Sequence, residues 1–320
     1  MNFYTSREFL DAAAQAYFQG RDVSIEDVDF GGEVLRLLVV DGRPITTLLF
    51  LDVHQPLAPD EVTGPLRKGG FARQVVRRIM PLDGAAPEVG TDFLLAPFVD
   101  WSAFKHFDDY QEWLLAHHRG RIRDMGRRAR GLAKQEGELV FTRDDTAPDV
   151  LPAARKWKGE QLVASGHEDF FAKPETMAFF EALRARGGLS VSTLRAGGRL
   201  ASIWMGFIHD RAWTGWVFTY EPDFAKFSPG HQLLAHMLED SYRAGHREFD
   251  FSEGAEDYKF VYATHARVLG DIGRPPLQRR LVSLAKQALH AASPELLARV
   301  RGLRRGLRQI LNSKPALAER

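Results

Sequence analysis

The chain has 320 residues, contains no cysteine, and nearly balances 43 lysine and arginine residues with 42 aspartate and glutamate residues. This composition excludes disulfides, thiolate-ligated metals and a cysteine nucleophile, and its overall charge gives no argument for a DNA partner. The N-terminus shows no secretory pattern and no apolar run reaches the ~20 residues of a membrane span, so we expect a cytoplasmic protein.

The first part of the chain predicts a helix followed by a hairpin. Ser6 is a suitable N-cap for an amphipathic helix that ends at Gly20. Two strands are predicted at 33–40 and 44–53, and the Asp41-Gly42 pair between them is a strong hairpin signal.

A glycine-rich stretch at 64–70 lacks the GK[ST] ending of a phosphate loop, so we interpret it as a turn. A strand is predicted at 93–98. The aromatic residues that follow are expected to pack between layers, with a hydrophobic substrate groove as the alternative. They are Trp101, Phe104, Phe107, Tyr110 and Trp113.

A basic helical stretch occupies residues 117–134. It is either a solvated helix face or a holder of a polyanion, such as the phosphates of CoA or an acidic acceptor. The candidate ligands for the second interpretation are Arg121, Arg127, Arg128 and Lys134. A strand at 138–142 follows, and we place a domain boundary near residue 145.

The second domain is predicted to begin with helices at 153–165 and 174–186, followed by strands at 189–195, 200–208 and 211–220. A further helix and a short strand at 248–251 complete a β-α-β unit. Ser228 and Pro229 suit the start of that helix, and Gly245 suits a left-handed C-cap. Its apolar stripe is predicted to be core: Leu233, Leu234, Met237, Leu238 and Tyr242.

The order of these elements resembles the core of the GNAT superfamily of N-acetyltransferases. Short sequence motifs narrow the resemblance to the CelD-like acetyltransferases, which are similar to Fem-type aminoacyltransferases. These motifs are Trp157, Phe170-Phe171, Ser228-Pro229-Gly230, Ser241 to Gly245, Asp250-Phe251, Gly254 and Tyr258-Lys259. The resemblance implies an α+β fold with two tandem GNAT-like domains, at 1–145 and 146–276, followed by a basic helical tail at 277–320.

The resemblance also implies an acyltransferase that moves an acetyl or other acyl group from acyl-CoA to an amine or hydroxyl. The acceptor would be a sugar or a cell-envelope or exopolysaccharide precursor. Two alternatives stay open, namely a Fem-type transferase that uses aminoacyl-tRNA and a scaffold without catalysis.

Free N–H groups at the start of the helix that begins at Ser228-Pro229 favour the binding of a phosphate. The donor is therefore expected on Phe218, Thr219, Phe227, Ser228, Pro229, Gly230, His231 and Gln232. The usual multi-glycine loop is reduced here to one glycine. Replacing Gly230 with a β-branched residue is expected to weaken donor binding and leave the fold intact.

An acidic loop follows the last predicted strand. Asp250 or Glu253 would accept the proton of the acceptor, and Tyr258 would protonate the leaving thiolate. Lys259 would hold an anionic acceptor or fix the loop. The structural alternatives are a strand-end Asp250 that bonds the next turn, and an ion pair between Lys259 and a neighbouring acid. No histidine spacing typical of a metal site occurs, so no metal is predicted.

The tail differs in charge from the rest of the chain. Residues 277–320 carry ten Lys or Arg against two Glu, a net charge of +8, which leaves −7 for residues 1–276. Apolar residues recur along it at helical spacing. It could dock on the acidic body or a partner helix, contact an anionic membrane at its inner face, or bind a polyanion.

Overall fold

The computed structural model describes residues 3–29, 34–48, 51–52, 73–89, 93–254 and 256–272. The turn predicted at 64–70 and the tail at 277–320 lie outside these ranges. No helix within the described residues is long and apolar enough to cross a membrane.

Six helices and thirteen strands are described. The helices are α1 (Arg7–Tyr17), α2 (Phe107–Glu136), α3 (Val150–Ala164), α4 (Pro174–Ala185), α5 (Pro229–Arg243) and α6 (Asp257–Tyr262). The strands are β1 (Val23–Asp29), β2 (Val34–Val40), β3 (Arg43–Pro44), β4 (Thr47–Leu48), β5 (Leu51–Asp52), β6 (Arg73–Pro81), β7 (Phe93–Asp100), β8 (Leu139–Thr142), β9 (Ser190–Ala196), β10 (Arg199–His209), β11 (Ala212–Tyr220), β12 (Glu248–Asp250) and β13 (His265–Ile272).

An eight-stranded sheet organises the molecule, in the order β6-β13-β7-β12-β11-β10-β9-β8. Its pairs are antiparallel except for β11 and β12, which run parallel because α5 connects them. Strands β1 to β3 form a separate small sheet. The mixed αβ prediction and the β-α-β unit are confirmed.

Alternating residues of the long strands face two cores on opposite sides of this sheet. Ile203 and Met205 of β10 pack with α1, α3 and α4, whereas Trp204 packs on the other side with α2, α5 and α6. The predicted stripe of α5 lies in the second core, as do Trp101 and Tyr110 of the aromatic cluster. Interlayer packing of that cluster is confirmed.

The capping and turn predictions are confirmed for Ser6, Asp41-Gly42 and Gly245, whereas Ser228 at the start of α5 has a left-handed backbone and makes no side-chain capping hydrogen bond. The Ser6 hydroxyl accepts a hydrogen bond from the Phe9 N–H at the start of α1. Asp41 and Gly42 both have positive φ, at 49° and 74°, as a two-residue hairpin turn between right-twisted strands requires. Gly245 has a φ of 71° just after α5.

The basic stretch belongs to a longer helix than predicted, since α2 begins at Phe107 and has non-helical dihedrals at His118. The predicted domain boundary lies between β8 and α3. Residues on both sides of it contribute strands to the same eight-stranded sheet. The division into two tandem domains stays a prediction.

Candidate active site

Strands β11 and β12 are paired for only three residues and then diverge. Ala212, Trp213 and Thr214 face Glu248, Phe249 and Asp250. The Ser252 hydroxyl then donates to the Gly215 carbonyl oxygen at 2.5 Å. Strand β11 continues to Tyr220, whereas β12 ends at Asp250. The sheet therefore opens into a gap beyond Gly215.

A β-bulge shapes the β11 side of this gap. Met205 is opposite Val217 and Gly206 is opposite Gly215, so Trp216 is an extra residue in β11. Such a bulge bends the strand and increases its twist. Gly215 cannot carry a side chain, because a Cβ there would lie 2.2 Å from the Trp204 ring.

A cavity of about 570 Å³ fills the gap and extends to α3. Three walls line it. The first is formed by α3 with the residues after it, the second by β11, and the third by the segment from Phe251 to Lys259. Trp204 of β10 completes the lining. In that order the wall residues are Lys158, Gln161, Leu162, Ser165 and His167; Gly215, Trp216, Val217, Phe218 and Tyr220; and Phe251, Ser252, Glu253, Glu256, Tyr258 and Lys259. The volume suits a small substrate or the reacting end of a larger one.

Tyr258 lines the cavity, and within the described residues its hydroxyl has no hydrogen-bond partner. Burial, and to a smaller extent the charge of Glu256, raise the pKa of Tyr258 well above its usual value. The phenol therefore stays protonated at neutral pH and can donate a hydrogen bond.

Lys259 fixes the acidic loop. Its Nζ donates to the carbonyl oxygens of Glu253 at 2.7 Å and Ser252 at 3.5 Å, and it pairs with Glu256 Oε2 at 3.0 Å. The structural alternative given above for Lys259 is thus present in the molecule. Glu253 is exposed at the mouth of the same wall, so it can exchange protons with solvent.

Asp250 does not line the cavity. Its Oδ1 accepts the Ser252 N–H at 2.8 Å, and its Oδ2 lies 3.4 Å from Arg267 Nη1. Arg267 also pairs with Glu248 at 2.6 Å and stacks over the Phe98 ring. Asp250 therefore holds the turn that leads into the acidic loop, as expected of a strand-end residue.

The start of α5 packs against α2. Ser228 has a left-handed backbone, and its hydroxyl accepts a hydrogen bond from Arg128 Nη1 at 3.0 Å. The same guanidinium donates to the Lys226 carbonyl oxygen and pairs with Asp124. A cation thus lies beside the N-terminus of α5, a favourable arrangement for an anion.

Residues 116–260 match the family described as acetyltransferase (GNAT) domain, a segment of less than half the chain. It contains every residue of the cavity lining. The domain is GNAT-like. At the level of reaction type, this match supports acyl transfer. The narrower resemblance to the CelD-like family stays a prediction.

No curated protein matches the chain. Among solved structures it is similar to a conserved protein of unknown function from Bacteroides thetaiotaomicron, at 13% identity and a TM-score of 0.37, covering 61% of this chain and 63% of that one. It is similar to FemX at 10% identity and a TM-score of 0.47, covering 88% and 96%. For L-PGS from Bacillus licheniformis the identity is 12%, the TM-score 0.38 and both coverages 66%. The chain thus spans less than two thirds of the Bacteroides and Bacillus proteins.

The structure corrects the expectation for Gly230 of the GNAT-like domain. A Cβ at this position would lie 1.8 Å from Phe218 Cζ, so the glycine permits close packing between α5 and β11. A β-branched residue there would disturb the fold and would not act on donor binding alone. Of the expected donor residues, only Phe218 lines the cavity.

The other expected donor residues surround the start of α5. Thr219 is buried, Phe227 packs against Gly131, and the Pro229 carbonyl oxygen accepts from Ser202. His231 Nδ1 lies 3.0 Å from the Tyr262 hydroxyl, and Gln232 Nε2 donates to the Phe227 carbonyl oxygen. Burial and the charges of Arg121 and Arg128 lower the pKa of His231. Burial is the larger cause of this shift, and the neighbouring positive charges add to it.

Lys158 and Trp204 are two of the cavity residues that sequence reasoning missed. Lys158 directly follows the Trp157 that carries part of the CelD-like resemblance, which is the signal that could have drawn attention to it. Trp204 is 2% exposed, and its indole N–H has no hydrogen-bond partner within the described ranges. A Cβ at Gly215 would lie 2.6 Å from that nitrogen, so the N–H lies where the two strands diverge.

Metal ligands are not grouped in the described part of the chain, where no cluster of three or more His, Asp or Glu side chains occurs. His231 and His236 face different surroundings, since His236 stacks on Phe141 with ring centroids 5.7 Å apart.

Proposed function

We propose that the protein is an acyl-CoA-dependent acyltransferase whose reaction takes place in the gap between β11 and β12. The acyl group, acetyl or longer, passes to an amine or hydroxyl of a sugar or cell-envelope precursor. The observation that carries this proposal is the 570 Å³ cavity at the point where the two strands diverge, inside the segment that matches the GNAT domain.

The described residues supply the three functions that acyl transfer from a thioester requires. Glu253 accepts the proton of the acceptor, directly or through water, while the acceptor nitrogen or oxygen forms a bond to the acyl carbon. The Trp204 N–H donates to the carbonyl oxygen, whose negative charge grows at this stage. Unpaired buried donors are rare, and a role in binding a reacting oxygen would explain this one.

Tyr258 completes the step when the carbon–sulfur bond breaks. The departing thiolate takes the phenolic proton, and solvent then restores the proton of Tyr258 and removes that of Glu253. The raised pKa makes Tyr258 a weaker acid than a solvent-exposed phenol, so its proton leaves only as negative charge develops on the sulfur. Lys259 and Asp250 hold the loop that carries Glu253 and Tyr258, so they are positioning residues.

The phosphates of the donor would lie at the start of α5, beside Arg128. Its guanidinium hydrogen-bonds Ser228 there. The exposed Arg121 and Lys134 of α2 form no ion pair among the described residues, so they are available for the outer phosphates. The same basic face favours the second candidate function, a transferase that uses aminoacyl-tRNA.

Thermal denaturation in the presence of CoA, acetyl-CoA and aminoacyl-tRNA separates these candidates, because a ligand that binds only the folded state raises the melting temperature. We expect CoA and acetyl-CoA to raise it and to support release of free thiol with an amine acceptor. A rise with aminoacyl-tRNA alone would replace the acyl-CoA donor with the aminoacyl donor. No shift with any of the three would contradict both transferase assignments.

A further inference from the structure

Lys158 is a charged residue of the cavity that has no counter-ion among the described residues. It is half-buried on α3, and its Nζ donates one hydrogen bond, to the Phe218 carbonyl oxygen at 3.2 Å. Within the described residues it forms no ion pair. An ammonium group has three N–H donors, so two of them are available to a ligand in the cavity.

The second lysine of the cavity provides a direct comparison. Lys259 is balanced by Glu256 at 3.0 Å and by two backbone carbonyl oxygens. Burial lowers the pKa of Lys158, the charge of Glu256 offsets this only in part, and Glu256 already pairs with Lys259. A partly buried ammonium without a paired anion is unfavourable, and a bound anion removes that cost.

The surroundings of Lys158 suit a carboxylate. Gln161 lies one turn after Lys158, and Ser165 caps the C-terminal end of α3, so both add neutral hydrogen-bonding groups to the same cavity wall. The wall formed by the acidic loop carries Glu253, which attracts a cationic amine. The two walls thus complement the two ends of a molecule that carries both charges.

We infer that Lys158 binds a carboxylate of the acceptor, and that the acceptor is an amine-bearing carboxylic acid such as an amino acid or an amino-sugar acid. This inference rests on the proposed function, since it assigns the Lys158 side of the cavity to the acceptor. The carboxylate is held at α3, and the amine lies at the Glu253 and Tyr258 wall, where the acyl group arrives.

Matched probes test the charge requirement without assuming any acyl transfer. L- and D-amino acids are titrated against the protein, each beside its own α-carboxamide, which keeps the shape and removes the negative charge. Binding is followed by the fluorescence of the cavity residues Trp204 and Trp216. We expect the carboxylates to bind about 10- to 100-fold more tightly, as for a hydrogen-bonded charge pair.

The Lys158→Gln variant should abolish this preference, and Lys158→Arg should retain part of it. Lys156→Gln, which removes an exposed lysine from the same helix, should bind like the wild type. CoA affinity should not change in Lys158→Gln. Equal binding of carboxylates and carboxamides, a preference that survives in folded Lys158→Gln, or a loss of CoA affinity in that variant would each overturn the inference.

The outcomes also separate this inference from the proposed function. A Lys158-dependent carboxylate preference without thiol release from any acyl-CoA would uphold the carboxylate site and contradict the acyltransferase. Thiol release with carboxamides as acceptors at the same rate as with the acids would uphold the acyltransferase and overturn the carboxylate site.

Discussion

Tyr258 lines the cavity, and its hydroxyl has no hydrogen-bond partner among the described residues. If it protonates the leaving thiolate, Tyr258→Phe should lower kcat by about 10²- to 10⁴-fold while CoA affinity and melting temperature change little. Steady-state thiol release and thermal denaturation on the same preparation measure both quantities.

Tyr262 provides the matched control for that substitution. Its hydroxyl contacts His231 Nδ1 at 3.0 Å and Met125 Sδ at 2.9 Å, and it does not line the cavity. Tyr262→Phe should therefore lower the melting temperature, with little change in turnover per folded molecule. Near-normal kcat in Tyr258→Phe would remove the tyrosine from the mechanism.

Trp204 and Trp213 both carry a buried indole N–H without a partner among the described residues, but only Trp204 lines the cavity. Replacing either residue with Phe removes the same unpaired donor and a similar ring volume. Trp204→Phe should lower kcat by about 10²- to 10³-fold, as expected for one donor to a developing oxyanion. Trp213→Phe should leave kcat unchanged, and equal losses in the two variants would indicate a packing effect alone.

The acidic loop could be predicted from sequence at the level of single residues, because Glu253, Tyr258 and Lys259 lie close together in the chain and after a strand. The separate roles of these three residues could not be predicted from sequence. Lys259 holds the loop because the Glu253 and Ser252 carbonyl oxygens turn towards it, a consequence of backbone path. Lys158 and Trp204 come from α3 and β10, and only the folded sheet brings them to the same cavity.

At the scale of elements, α5 is tied to β11 by the contact between Gly230 and Phe218. Gly230→Ala should destabilise the protein by about 1–3 kcal/mol, since its Cβ would lie 1.8 Å from the Phe218 ring. The midpoint of urea denaturation measures this loss. Gly120→Ala on α2 has open space around its new Cβ and should be neutral or stabilising.

A compensating change distinguishes packing from a helix-start effect at Gly230. Shortening Phe218 to Leu makes room for the new methyl group, so the double variant should recover part of the stability lost in Gly230→Ala. Additive losses in the double variant would contradict the contact.

The β11-α5-β12 unit was predictable because its limits depend on local signals, with Pro229 at the helix start and Gly245 after its end. Strands β6 and β13 were not predicted. They pair with each other although their residues are 184 to 199 positions apart in the chain, from Arg73 with Ile272 to Pro81 with His265. The sequence of a short strand does not indicate which distant strand it will pair with.

At the scale of the whole molecule, the sheet joins strands from both sides of residue 145. Chain length gave an expected number of domains, and the pairing of β7 with β12 and β13 could not be deduced from it. The α+β class was predictable because the helical and strand periods alternate clearly along the second half of the chain.

Stability should fall on acidification through neutral pH. Burial is the largest cause of lowered pKa values in His118, His231, His236 and His246. Below the ordinary histidine pKa of about 6.5 the unfolded chain binds more protons than the folded one, so stability present above that pH is lost as pH falls towards the depressed values.

Urea midpoints between about pH 7.5 and about pH 5.5 should show this decline, and His236→Gln should make it shallower. A midpoint that stays constant or rises on acidification through this window would contradict the assignment of neutral, buried histidines.

The most direct test of the central claim is to locate the bound donor by amide chemical shifts on titration with acetyl-CoA. Acyl transfer in the gap predicts that the perturbed amides belong to Gly215–Tyr220, to Ser252–Lys259 and to the first turn of α5, while those of the separate β1–β3 sheet stay unchanged. Saturable binding of acetyl-CoA that leaves both the Gly215–Tyr220 strand and the Ser252–Lys259 loop unperturbed would contradict the account.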